Sequence, residues 1–215
     1  GDMILADDNF ATIVTSIESG RIIYSNIKRF VRFLLSANFG EMLIITMALI
    51  MGLPLPLLPL QILWINLMTD SLPAIALGLD SGEKDIMKLG PRNTKTSIFK
   101  EVIYFSSLAG LVSTVVGIII FLSSYWIDGL DKSRTLIFTY MVIFEFLLVF
   151  SARYEYKHYF TNFFSNKFLI FSILGSLMLQ IFIIYSSIGH KVFSTVSLNT
   201  NDWILILEYS ILGIV

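Results

Sequence analysis

Asn66, Thr69 and Asp70 stand at i, i+3 and i+4, so a helix presents all three on one face. Pro73 follows Asp70 by three residues. It has no N–H to offer the carbonyl of Thr69, and its ring tends to break the helix there. A carboxylate, an amide oxygen, a hydroxyl and a freed carbonyl are hard oxygen donors. That set suits a calcium-like or alkali-like cation rather than zinc or copper. The stretch from Leu57 to Leu79 that carries these groups is otherwise almost wholly apolar. A run of about 20 apolar residues can cross a bilayer. An ionisable group at that depth costs at least ~2.5–3.5 kcal/mol on insertion scales and marks an ion or substrate path. Broken helices near the midplane are a common way to build such a site.

Two more acids lie inside apolar runs, Glu41 and Glu145, and Asn38 precedes Glu41 by three residues. No Lys, Arg or His lies at comparable depth, so internal salt bridges lack partners. Two readings stay open: each acid is protonated and merely hydrogen-bonded, or the three converge on a cation. Asn38 and Glu41 are expected on one face of the first span, opposite Asn66, Thr69 and Asp70 of the second, with Glu145 packing in from the fourth. Other polar residues carry less. Glu208 is expected near an interface or beside a polar neighbour, and His158 and His190 have no metal-ligand spacing. Gly52 and Gly78 read as helix ends. Glycine-rich phosphate loops, triads and nucleotide motifs are absent.

The elements that position these groups follow from composition. The 215 residues are 55% hydrophobic and 14% charged, against about 25% charged in soluble domains. The fold class is therefore an all-α integral membrane bundle, in contact with lipid on its outer faces. There is no cysteine, which excludes disulfides and thiolate metal sites. A net charge of −1 without a basic tract gives no reason to expect nucleic acid. The chain opens on Gly1-Asp2-Met3, in mid-pattern and without a signal sequence, and reads as a piece of a longer protein.

Asp7-Asp8-Asn9 is a helix start. One long helix is expected to about Met51, basic and solvated over residues 1–32 and embedded beyond. Residues 33–215 form the membrane domain. Its spans are placed at about 33–52, 57–79, 102–126, 135–152, 168–186 and a short last run at 203–215, with the second span unwound. Residues 187–202 read as a polar loop. Twelve of the 15 Lys and Arg fall in the N-terminal segment and the 80–100 and 153–167 loops. The positive-inside rule puts these, and the N-terminus, in the cytosol.

Several stretches resemble the C-terminal membrane half of type II P-type ATPases, above all the calcium-transporting group. They are ADDNFATIV (6–14), GRIIYSNIKRFVRFLLSANFGE (20–41), LQILWINLMTDSLPAIALGLD (60–80), and the DIM and PR of 85–92. The resemblance covers the whole chain in outline and is strongest over residues 1–100. It implies that the six spans are the fifth to tenth of ten, and that residues 1–32 are a cytosolic stalk leaving a phosphorylation domain. It implies that Asn38, Glu41, Asn66, Thr69 and Asp70 are cation ligands, with Glu145 a ligand in members that carry two calcium ions. The implied cargo is Ca2+. ATP and Mg2+ would be bound only by the upstream cytosolic domains of the same pump, and no catalytic residue is expected in this stretch. The stalk, which carries Lys28, is expected to transmit motion to Glu41, and the 80–100 loop, which carries Arg92, is expected to brace it. The competing reading is a free-standing six-span cation channel or ion-coupled transporter.

Overall fold

The computed structural model describes residues 9–81, 86–88, 90, 97–153 and 165–213. Among them every regular element is helical. The first, α1, runs unbroken over Phe10–Ile50. Asn9 caps it, its side chain accepting from the Ala11 N–H at 2.9 Å, which offsets one of the orphan donors of a helix start. At about 1.5 Å per residue its 41 residues span roughly 60 Å, about twice the hydrocarbon thickness. Half of α1 must therefore project beyond a bilayer. It ends where Gly52 takes φ 68°, a left-handed turn open to glycine, and the Leu53 N–H returns to the Ala48 carbonyl at 2.9 Å.

The second span is built in three pieces. α2 covers Pro59–Trp64, with proline in its first turn, where a missing N–H costs nothing. A π-helical turn follows over Ile65–Asp70, and α3 covers Ser71–Gly78. The expected unwinding at Pro73 is thus corrected in place. The irregularity lies upstream, and Pro73 sits buried as the third residue of α3. The reason is geometric. Widening the turn before Ser71 restarts the helix, so Pro73 falls in a first turn, where proline is tolerated. The Ser71 hydroxyl donates to the Asn66 carbonyl at 2.8 Å, and the Thr69 hydroxyl to the Ile65 carbonyl at 2.9 Å.

The next two spans are α4, Ile98–Tyr125, and α5, Leu130–Arg153. α4 packs on α1 through small residues. A Cβ on Gly110 would stand 2.6 Å from Phe39 Cδ1 and 3.2 Å from the Gly40 nitrogen, so the backbones meet only because residue 110 is glycine. Ser36 and Ser106 hydrogen-bond across this seam at 3.1 Å. α5 is the central helix. Thr135, Phe138, Tyr140, Met141, Glu145, Leu148 and Val149 are all essentially inaccessible. The fifth span is α6, Lys167–Tyr185, capped by Asn166.

Among the described residues, five helices are long and apolar enough to cross a membrane. The last run is shorter: α8 covers Thr200–Ser210, followed by a 3-10 turn at Ile211–Gly213. The polar loop expected at 187–202 is corrected too, since Ser187–Phe193 forms a helix, α7. Seven residues are too few for periodicity to reveal, but the local bonds are specific. Ser186 caps Gly189 at 2.9 Å, and His190 Nε2 hydrogen-bonds the Ile184 carbonyl at 2.6 Å.

Candidate cation-binding site

The three acids come together from three elements. Glu41 of α1 is 4% exposed; Asp70, closing the π-helical turn, and Glu145 of α5 are both 0% exposed. The Asp70 and Glu145 carboxyls are immediate neighbours, and Glu41 lies within electrostatic reach of both. Of their six oxygens, five are buried without a hydrogen-bond partner: Glu41 Oε1, both of Asp70 and both of Glu145. The sixth, Glu41 Oε2, accepts from Asn66 Nδ2 at 2.7 Å. Buried carboxylate oxygens left in this state cost several kcal/mol unless a charge or proton meets them. No salt bridge reaches them among the described residues.

The widened turn decides what else faces them. Asn66 gives both N–H bonds away, one to Glu41 and one to the Ile62 carbonyl at 3.1 Å, so its oxygen is the atom left to serve a cation. Thr69 is fully buried, and its proton is engaged at Ile65, which leaves the hydroxyl lone pairs. The chemistry on offer is carboxylate, amide and hydroxyl oxygen, the donor types of a hard cation. Among the described residues no three carboxylate or imidazole groups close on one ion by themselves. The arrangement is an Asp70–Glu145 pair adjoining a Glu41–Asn66 pair.

Not every expected ligand is brought in. Asn38 is exposed, and its amide donates to the Leu34 carbonyl at 2.8 Å. Positions i and i+3 differ by about 60° around a helix, and here that angle carries Asn38 off the face that buries Glu41. Lys28 forms an ion pair with Glu101 at the start of α4, 2.8 Å. Arg92 lies outside the described residues, as does His158.

Other contributors left little trace in the sequence. Gln180 of α6 is fully buried and accepts from Trp64 Nε1 at 3.1 Å, and Ser176 donates to the Met68 carbonyl inside the widened turn at 3.1 Å. A lone glutamine in an apolar span is the signal for the first. Gln61, also fully buried, takes the Leu58 N–H and donates to the Phe193 carbonyl, both at 3.0 Å.

A bundle of long apolar helices with buried acids at a widened helical turn defines an integral membrane class, and comparison with known proteins gives that class its family. The family model described as "Cation transporting ATPase, C-terminus" matches residues 54–215. The chain belongs to this family. It is 39% identical over 213 residues to the calcium-transporting ATPase of Bacillus subtilis, covering 97% of this chain and 24% of that protein. The human calcium-transporting ATPase type 2C member 1 is 38% identical over 212 residues, 96% of this chain and 23% of that protein. A calcium-transporting ATPase of Plasmodium falciparum is 31% identical over 255 residues, 97% and 21%. The chain thus spans about a quarter of the length of the curated relatives it matches.

Proposed function

We propose that this chain is the ion-translocating membrane part of an ATP-driven cation pump and that its cargo is calcium. The observation that carries the reading is the set of five buried, unpartnered carboxylate oxygens on Glu41, Asp70 and Glu145. In this reading Asp70 is the central ligand, Glu41 and Glu145 complete the charge, and the oxygens of Asn66 and Thr69 add neutral donors. Two or three carboxylates can balance the charge of a divalent ion, which an apolar interior does not tolerate bare. The names of the relatives support calcium over other hard cations.

Residues 1–32 serve as the stalk and residues 33–215 as the transport domain, with the N-terminus in the cytosol, where the basic segments belong. ATP and Mg2+ are handled by parts of the protein outside this chain. α1 continues without interruption from its projecting half to Glu41, so a displacement of the stalk reaches the site along one rigid helix. Lys28, tied to Glu101, and Arg92 brace that movement. Substituting either is expected to give ATPase activity that no longer requires the ion.

Calcium-dependent ATPase activity of the full-length protein, wild type against Asp70→Asn, tests the reading. Activity that rises at micromolar calcium and is lost in the variant is the expected result. Calcium-activated turnover that survives Asp70→Asn overturns it.

A further inference from the structure

The three elements that carry Glu41, Asp70 and Glu145 meet a second time, toward the stalk end of the bundle, and there the charges attract. Asp80, two residues beyond α3, is 6% exposed. Its carboxylate accepts from Arg153, the last residue of α5, through Nε at 2.6 Å and Nη2 at 3.2 Å. Arg29 of α1 brings Nη1 to 3.6 Å from the same Oδ2. Asn26, also on α1, donates to the backbone carbonyls of Asp80 at 2.7 Å and Gly78 at 3.3 Å. Arg153 Nη2 reaches on to Ser165 Oγ at 2.6 Å. Arg29 is 7% exposed, Asn26 and Arg153 4%.

An ion pair this buried does not repay its desolvation by attraction alone; it needs good geometry and satisfied remaining groups. Here both carboxylate oxygens are bonded, and the carbonyls that end α3 are capped. Such a cluster is weak support for stability and better support for fixing one arrangement over its neighbours. The acid cluster needs that service. Its members repel one another, and the Asn66–Glu41 bond is the hydrogen bond that ties one of them to a neutral side chain.

Arg29 precedes Glu41 by 12 residues, Asp80 follows Asp70 by 10, and Arg153 follows Glu145 by 8. At ~1.5 Å per residue the clamp lies about 12–18 Å along each axis from the acids. A packed helix carries a rotation or slide over that distance with little loss.

Building on the pump reading above, we infer that Asp80 is a positioning residue of the cation site. Held by Arg153 and Arg29, it fixes the axial and rotational register of α1, the second span and α5, so that the Asp70–Glu145 pair stays turned toward the adjoining Glu41–Asn66 pair. It touches no cargo itself.

The test uses the full-length protein in membranes, with the calcium concentration for half-maximal ATPase activation read separately from the maximal rate. Asp80→Asn and Arg153→Gln should each raise the half-activating concentration about tenfold. The double variant should be no worse than either single one, as for partners in one interaction, with maximal rates per amount of protein held within about twofold. A residue that merely stabilised the bundle would lower the amount of active protein and leave half-activation in place. If Asp80→Asn fails to accumulate, Arg153→Lys carries the test. It keeps the charge but loses the two-pronged grip, and a smaller shift in the same direction is expected. Unmoved half-activation in an accumulating variant, or shifts that add in the double variant, overturns the inference while leaving the pump reading intact. A wild type that calcium does not activate overturns both.

Discussion

Asn66 reaches from the second span to the first and donates its side-chain amide to Glu41, Nδ2 to Oε2 at 2.7 Å. The bond sets two things at once. It holds Glu41 toward the widened turn, and it turns the amide so that its oxygen points elsewhere. Replacing Asn66 by alanine removes both, and leaves Glu41 with neither oxygen bonded.

Asn66→Ala is expected to weaken calcium activation of the full-length protein about tenfold or more, since losing the partner of a buried charged group costs on the order of 1.5–3 kcal/mol. Asn66→Asp keeps an oxygen but adds a fourth acid beside Glu41, and should be worse still at neutral pH. Half-activating calcium concentrations for the two variants check this ordering.

Pro73 stands three residues past the widened turn and offers no N–H to the Thr69 carbonyl. With an N–H restored by Pro73→Ala, Ile65–Asp70 is free to relax toward a regular helix, which rotates Asn66 relative to Asp70. We expect a modest loss of calcium affinity, about threefold to fivefold, of the size seen for substitutions that act on a site through backbone position. The variant should accumulate normally, because alanine is the better helix former. Affinity equal to wild type would mean that side-chain bonds, such as Ser71 to Asn66, hold the turn unaided.

The α1–α4 seam gives a stability prediction with an internal control. Gly110→Ala drives a methyl against Phe39 and the Gly40 backbone and should cost about 1–3 kcal/mol. Gly20→Ala meets nothing within 4 Å and lies inside α1, so it should be neutral or stabilising by up to ~1 kcal/mol. Thermal unfolding of the two purified variants in detergent separates them. A lower melting temperature for Gly20→Ala than for Gly110→Ala would contradict the packing described.

How far the sequence speaks depends on whether a residue's environment is local. Asp70 and Glu145 stood out because an acid in an apolar run needs no partner to be conspicuous, and the five long spans are legible for the same reason. Asn9 is readable as a cap, since capping is a matter of two or three residues. Asn38 is less legible, because a spacing of three leaves about 60° of freedom around the helix, and only packing decides which way it falls. Pro73 announced an irregularity but not its position, since a widened turn relocates the problem upstream. The Asp80–Arg153 pair was invisible. The partners are 73 residues apart, and each reads alone as an ordinary charge at the edge of a span. α7 was hidden by its length, its polar cap and histidine resembling any loop.

The measurement that bears most directly on the three acids is equilibrium calcium binding to the full-length protein without ATP, comparing wild type, Asp70→Asn and Glu145→Gln. Both substitutions keep size and hydrogen-bonding capacity while removing one negative charge. Binding at least about a hundredfold weaker for Asp70→Asn, a loss of ~2.7 kcal/mol, with a smaller loss or fewer ions bound for Glu145→Gln, is the expected result. Wild-type binding by both variants would contradict the assignment of these carboxylates as the cation site.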